Sequence, residues 1–465
     1  MRKAQIAVIA LGAAMLAVVA GCGSTSPAPP VPPAPPAPPA PPAPTLSPSR
    51  MPAGVALSPI DGGPHYYCSH GFTYACKAGW DNPSFFPIGI WYGMILSQSD
   101  VNRWKDLGIN TAFRTTANTD LSLLRSNGLF AIVADDGSGP ETPGLGSETV
   151  GLLSYDEPST YSAGVSTPLS SVPDSVQDGR FWYMNDTWNF LAYGGLSPVS
   201  SSAGVLSNPV STPNGTPRHI DINSVDVYWF AGASGSLPYE GQILYGLKSL
   251  MPQDEVKCGC RYGDQVDALR ALQRGHDSAP IAQFVEDGGP YTQDTAASDY
   301  ITPPEMNWAV WSSIIHGARM IIYFNHSFAG PAPSDDNFAQ SYYQAVQPGQ
   351  TTSIYAQAKA TDALIAKLAP VINSPTASGY LSVSPRVRTF SGVETMVKYY
   401  NGHFYIFADT RDAETATDIH ATFTIKDATA TSVAVVGENR TLPVTDGSFS
   451  DTFASGSTVH IYEVN

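Results

Sequence analysis

Two short runs carry the most specific chemistry in the chain. In Leu152-Leu153-Ser154-Tyr155-Asp156-Glu157-Pro158, an apolar stretch of strand length runs into two acids and a proline that stops it. In Ile281-Ala282-Gln283-Phe284-Val285-Glu286 a second such stretch ends on an acid. Two carboxyl groups facing one another across a cleft suit the cleavage of an acetal, because one protonates the leaving oxygen while the other attacks or stabilises the cationic carbon. This assigns Glu157 as general acid/base and Glu286 as nucleophile, about 5–5.5 Å apart for a retaining double displacement. Glu157 then needs a raised pKa, which adjacent Asp156 or burial beside aromatics would supply. An inverting arrangement using Asp135 or Asp226 stays open. Asp156-Glu157-Pro158 in isolation is as often a capped turn, and its pairing with Glu286 favours chemistry.

Both acids fall at the ends of members of a series. From Phe86 to Ser327 short apolar runs alternate with polar or Gly-rich turns and helical stretches, the pattern of βα units. Eight strands are expected: Pro87–Tyr92, Asn110–Arg114, Phe130–Ala134, Gly151–Tyr155, Phe181–Asn185, Ser224–Trp229, Ile281–Val285 and Met320–Phe324. Helices expected over Asp100–Leu107, Thr119–Ser126 and Asp264–Arg274 each end near a glycine. The units predict a (β/α)8 TIM barrel over residues 51–375. The competing open doubly wound sheet would carry a Gly-rich phosphate turn after its first strand, and Trp91-Tyr92-Gly93-Met94 is nothing like one.

Barrel enzymes place their chemistry at the carboxyl ends of the strands. Trp91, Arg114, Asp135, Asp156, Asn185, Trp188, Tyr228 and His326 sit there and are expected to bind substrate, rings stacking on sugar CH faces and polar groups meeting hydroxyls. The plain alternative for each is a core residue. The stretch Tyr193–Ile220, rich in Ser, Gly and Pro, is long enough to shape a subsite. After a helix expected over Thr352–Leu368, short alternating runs such as Phe404-Tyr405-Ile406-Phe407 predict a small C-terminal antiparallel β-sandwich over residues 376–465.

At these residues the chain resembles the retaining glycoside hydrolases of clan A, from about Phe85 to the C-terminus. The resemblance implies an acid/base glutamate ending strand four (Glu157), a nucleophile ending strand seven (Glu286) and an oligo- or polysaccharide substrate. The segment Ala309-Val310-Trp311-Ser312-Ser313-Ile314-Ile315-His316-Gly317-Ala318-Arg319 is similar to what precedes strand eight in several of those families. One position departs from the pattern: the residue before the acid/base is commonly an asparagine, and here it is Asp156.

Composition narrows the setting. A formal net charge of -16 with 14% charged residues excludes a polyanionic partner such as nucleic acid and fits a neutral substrate. Residues 1–22, with Arg2-Lys3, an apolar run and Val19-Ala20-Gly21-Cys22, resemble a bacterial lipoprotein signal with Cys22 as the lipidated residue. Residues 23–50 are nearly all Pro and Ala, a semi-rigid spacer from a membrane. Cys68, Cys76, Cys258 and Cys260 are disulfide candidates in an exported protein, with the Cys258–Cys260 pairing expected to make a strained ring and cross-pairing left open. His65 and His70 do not give the cysteines a standard metal-ligand spacing, and neither a His-x-His pair near strand one nor a Gly-x-Ser-x-Gly elbow is present. No metal or cofactor is expected, and a monomer is. A sugar-binding surface protein on a degenerate barrel is the alternative to an enzyme.

Overall fold

The computed structural model describes residues 51–135, 140–156, 178–186, 210–211, 217–218, 221–231, 237–272, 279–290, 300–328, 330–427 and 429–465. Cys22, Glu157, Trp188 and most of the stretch 193–220 lie outside the described residues. Strand β1 (Ala56–Ser58), expected with the barrel, pairs instead with a C-terminal strand. The barrel strands are β2 (Ile88–Trp91), β3 (Thr111–Phe113), β4 (Phe130–Ala134), β5 (Thr149–Asp156) and β6 (Phe181–Asp186). After a short hairpin of β7 (Val210–Ser211) and β8 (Pro217–Arg218) come β9 (Ile222–Val225), β10 (Ala282–Glu286) and β11 (Met320–Phe324). These eight pair in parallel in the order β10-β11-β2-β3-β4-β5-β6-β9, and a bridge from Asn223 to Ile281 joins the two edges.

The eight runs read from the sequence are the eight barrel strands, with one displaced. The sixth was expected over Ser224–Trp229 but ends at Val225, and the amides of Trp229, Phe230 and Ala231 turn to side-chain acceptors instead of a strand ladder. Helix boundaries follow local chemistry. Ser97 caps the helix Gln98–Leu107 in a capping box with Asp100, and Gly108 ends it in the left-handed region. Thr302 and Glu305 form a second box at the start of Pro303–Ile315.

Alternation along each strand separates two cores. Ile88, Ile90, Ala112, Val133, Leu152, Val285 and Ile321 pack outward against the helices. Phe113, Ile132, Leu153, Tyr183, Ile222, Phe284 and Ile322 fill the barrel itself. Space inside is tight: a Cβ at Gly89 would lie 2.2 Å from the Phe113 ring, and one at Gly151 2.2 Å from the Phe181 ring. Each buried phenylalanine contributes about 1.5–3 kcal/mol, so the glycines are the room those rings require.

The amino end of the barrel is plugged. Tyr66, Tyr67, Phe72, Trp80 and Phe85 pack onto Phe130 and Phe181, and the two short helices that carry the first of them, Tyr66–Ser69 and Thr73–Lys77, are joined by a Cys68–Cys76 disulfide. That bond uses both thiols, so the neighbouring group Cys68, Cys76 and Asp81 has no thiolate to offer a metal; the Asp81 carboxylate accepts from the amides of Tyr67 and Cys68. Cys258 is bonded to Cys260, so the pairing expected to be strained is the one formed and cross-pairing is excluded.

Past the helix Ile354–Ile372, two antiparallel sheets form the C-terminal sandwich. The larger contains β1, β12 (Thr376–Ser378), β14 (Val393–Tyr400), β15 (His403–Thr410), β20 (His460–Val464), β17 (Ser432–Val435) and β18 (Arg440–Pro443); the smaller contains β13 (Leu381–Ser384), β16 (Thr417–Ile425) and β19 (Ser448–Ser455). Tyr380, Phe404, Phe423, Phe449 and Tyr462 fill the space between them. Among the described residues no helix is long and apolar enough to cross a membrane.

Candidate active site at the barrel mouth

The carboxyl ends of β3, β5, β6 and β9 deliver a connected polar set. Asn185, inward-facing on β6, donates from Nδ2 to Asp156 Oδ1 at 3.0 Å and to Asp226 Oδ2 at 3.0 Å. Its Oδ1 accepts from Ser224 Oγ at 2.7 Å, and Ser224 meets the Tyr183 hydroxyl. With its oxygen committed to Ser224, the amide has both N–H bonds free for the two carboxylates. Asp156 ends β5, and Arg114 Nη1 reaches its Oδ2 at 2.5 Å. Both members of this ion pair are half-buried, and the Arg114 guanidinium also lies over the rings of Trp91 and Tyr92, 5.7 and 5.3 Å from their centroids. The Asp156 charge is thus countered on the spot by Arg114.

Glu286 is the last residue of β10 and follows the inward parity of Ala282 and Phe284. It is 0% exposed. Oε1 accepts from the amides of Phe230 (3.0 Å) and Ala231 (3.2 Å), and Oε2 from the Tyr262 hydroxyl. Tyr262 in turn accepts from the Trp229 amide at 2.9 Å. The turn that ends the sixth strand early is therefore wrapped around Glu286. Burial raises the Glu286 pKa, and its three donors work against that by favouring the anion. Next to it, burial pushes the Asp287 pKa well above the carboxylate range, and its Oδ1 accepts from Asn337 Nδ2 at 2.6 Å.

The remaining expected residues divide by exposure. Trp91 (6% exposed) packs on Phe284 at 5.1 Å and Tyr228 (4%) on Phe324 at 5.2 Å, so both belong to the top layer of the barrel filling. Asp135 is buried where the backbone bridges to Pro140. His326 is buried and donates from Nε2 to the Trp91 carbonyl at 3.0 Å. That acceptor fixes the tautomer, and burial lowers the ring's pKa, leaving it neutral. Two aromatics outside the stacking set chosen from the sequence are open at the mouth: Tyr92, 44% exposed, and Phe328, 51% exposed. Tyr92 was visible as a strand-end residue. Phe328, four residues past β11, had only its place in a Ser- and Gly-containing loop to mark it.

No family model matches the chain, and no curated protein matches it. Some solved structures are similar to it over most of its length. The chain is similar to a MutB mutant in complex with its substrate sucrose, with a TM-score of 0.43, 8% identity, and coverage of 82% of this chain and 99% of that one. It is also similar to a glycoside hydrolase family 5 protein from Bacteroides vulgatus (TM-score 0.42, 11% identity, 82% and 89% coverage). The third is the α-amylase from Geobacillus thermoleovorans complexed with acarbose (TM-score 0.37, 9% identity, 82% and 98% coverage). The likeness is one of architecture, and what the mouth can do follows from its own residues. A cation and two half-buried carboxylates, the latter held by a buried amide, offer directional partners to hydroxyl groups, beside a buried acid with three donors.

Proposed function

We propose that the chain is a glycoside hydrolase that cleaves a neutral cell-envelope or environmental glycan by a retaining double displacement. The observation that carries this is Glu286: an inward carboxylate at the end of the seventh barrel strand, oriented by Phe230, Ala231 and Tyr262 beside a polar mouth. In the first step Glu157 protonates the glycosidic oxygen while Glu286 attacks the anomeric carbon, and the bond to the leaving sugar breaks. In the second, Glu157 takes a proton from water, the water oxygen bonds to the anomeric carbon, and Glu286 departs as the carboxylate. Arg114 and Asp156 bind hydroxyls of the ring being cleaved, and Asn185, fully buried, holds Asp156 and Asp226 in place behind them. No cofactor takes part.

One observation favours a second reading. Glu286 is sealed from solvent, whereas Asp226 is half-buried at the mouth, a position suited to activating water in an inverting reaction. Proton NMR of the first product released from a polysaccharide panel separates the two: a retained anomer supports the double displacement, an inverted anomer supports Asp226, and absence of any product removes both. Export and anchoring through Cys22 complete the proposal, resting on the N-terminal lipoprotein-like box. Labelling by a palmitate analogue that survives Cys22→Ala would count against the anchor.

A further inference from the structure

Tyr92 and Phe328 are large apolar side chains left open beside polar groups that could bind a hydroxylated ligand. They follow β2 and β11, which are neighbours in the barrel. Between them lies the buried ring of His326, 6.2 Å from Tyr92 and tilted to it by 53°, and 6.4 Å from Phe328 and nearly parallel to it at 13°. The three rings make a row along one side of the mouth.

The row is held in place. Tyr92 adopts φ 53, a left-handed conformation uncommon for a bulky residue, while its amide continues the ladder to the Phe113 carbonyl at 2.8 Å. Arg114, whose guanidinium covers Tyr92, shares this conformation at φ 49. Strain kept at two adjacent strand ends marks a site where side-chain direction matters. Phe328 is fixed from the other direction: its amide donates to Gly289 O at 2.9 Å, and neighbouring Ser327 accepts from the Gly289 amide and the Tyr343 hydroxyl. Both rings stay open to solvent, at 44% and 51% exposure.

We propose that Tyr92 and Phe328, flanking His326, form a stacking platform for a neutral sugar ring of the substrate chain, with Arg114 and Asp156 taking that ring's or its neighbour's hydroxyls. This rests on the glycan reading of the mouth. A pyranose or furanose matches because one face is lined with CH groups and its edge with hydroxyls, the two surfaces offered here. The acidic chain, at a formal -16, disfavours a polyanionic occupant.

Affinity electrophoresis of the whole protein through gels containing soluble starch, xylan or mixed-linkage β-glucan tests the platform, with sugar release measured in parallel. The wild type should be slowed by at least one of these, and Tyr92→Ala and Phe328→Ala should each weaken that affinity about three- to tenfold, with thermal unfolding confirming that the variants are folded. Val387→Ala, which removes an exposed side chain from the sandwich, should migrate as wild type. Equal retardation of wild type and both mouth variants would overturn the platform, as would a wild type slowed by none of the three. Retardation lost in the variants without any sugar release would keep the platform and sink the hydrolase.

Discussion

The molecule holds two clusters built from the same materials, an arginine paired with carboxylate beside aromatic rings, and they differ in access. At the mouth, Arg114, Asp156, Asn185 and Asp226 are linked by single contacts, and all but Asn185 are half-buried. Between barrel and sandwich, Arg411 lies over the Tyr245 ring and grips Asp264 at 2.6 and 2.8 Å and Glu394 at 2.5 Å, while His316 pairs with Asp267 and Glu394. There Arg411, Asp264 and Glu394 are almost completely enclosed. A sealed cluster can only hold two domains together, whereas an open one can exchange its internal partners for a ligand's hydroxyls. Composition would not have told the two apart.

The contrast breaks most easily at Arg411. Replacing it by methionine removes the guanidinium that grips both buried acids, leaving Asp264 only the longer contact to Arg261 and Glu394 only His316, and should cost about 3–5 kcal/mol in chemical denaturation. A loss below 1 kcal/mol would mean that the enclosure is not real.

A second effect is smaller and depends on pH. Burial, then Glu394, push Asp409 well above the carboxylate range. Burial works to strip the His316 proton, but Glu394 and Asp267 outweigh it and raise that pKa as well. Both groups bind protons more tightly folded than unfolded. Their stabilisation is present at low pH and is lost as pH rises, from about 4 for the aspartate and about 6.5 for the histidine, through their folded values. Asp409→Asn should therefore flatten the fall in stability towards alkaline pH, read from melting curves at several pH values.

At the mouth the expected changes are in function. Glu286 must be ionised to attack, and burial raises its pKa, so the rate should climb with pH through a value above the ordinary carboxylate range. Tyr262→Phe removes a donor to the anion and should move that acid limb to higher pH, checked by a pH–rate profile; an unmoved limb would detach Tyr262 from Glu286. Smallest in stability is Arg114→Met, which should change unfolding free energy by less than about 1 kcal/mol while weakening polysaccharide binding. A large destabilisation there would make the mouth pair structural, like its sealed counterpart.

Much of this was legible in the sequence, for a physical reason. Period-two runs bounded by glycine and polar turns report strands directly, so the eight barrel strands and the sandwich could be read, as could Glu286 at a strand end. The sixth strand was overrun because Val227 to Phe230 is as apolar as a strand, and nothing local shows that the amides of Phe230 and Ala231 serve a carboxylate 55–56 residues away. Exposure was equally hidden. Trp91 and Tyr92 are adjacent aromatics, and a backbone turn to positive φ puts one inside and the other out. The pairing of β1 with β12 spans 320 residues and leaves no trace in either segment's own pattern.

The most direct test is sugar release from the polysaccharide panel by the wild type, Glu286→Gln and Glu157→Gln, each shown to be folded. The wild type should hydrolyse at least one polymer, and each variant should fall by at least about a hundredfold. Hydrolysis at the wild-type rate by either variant would contradict the account.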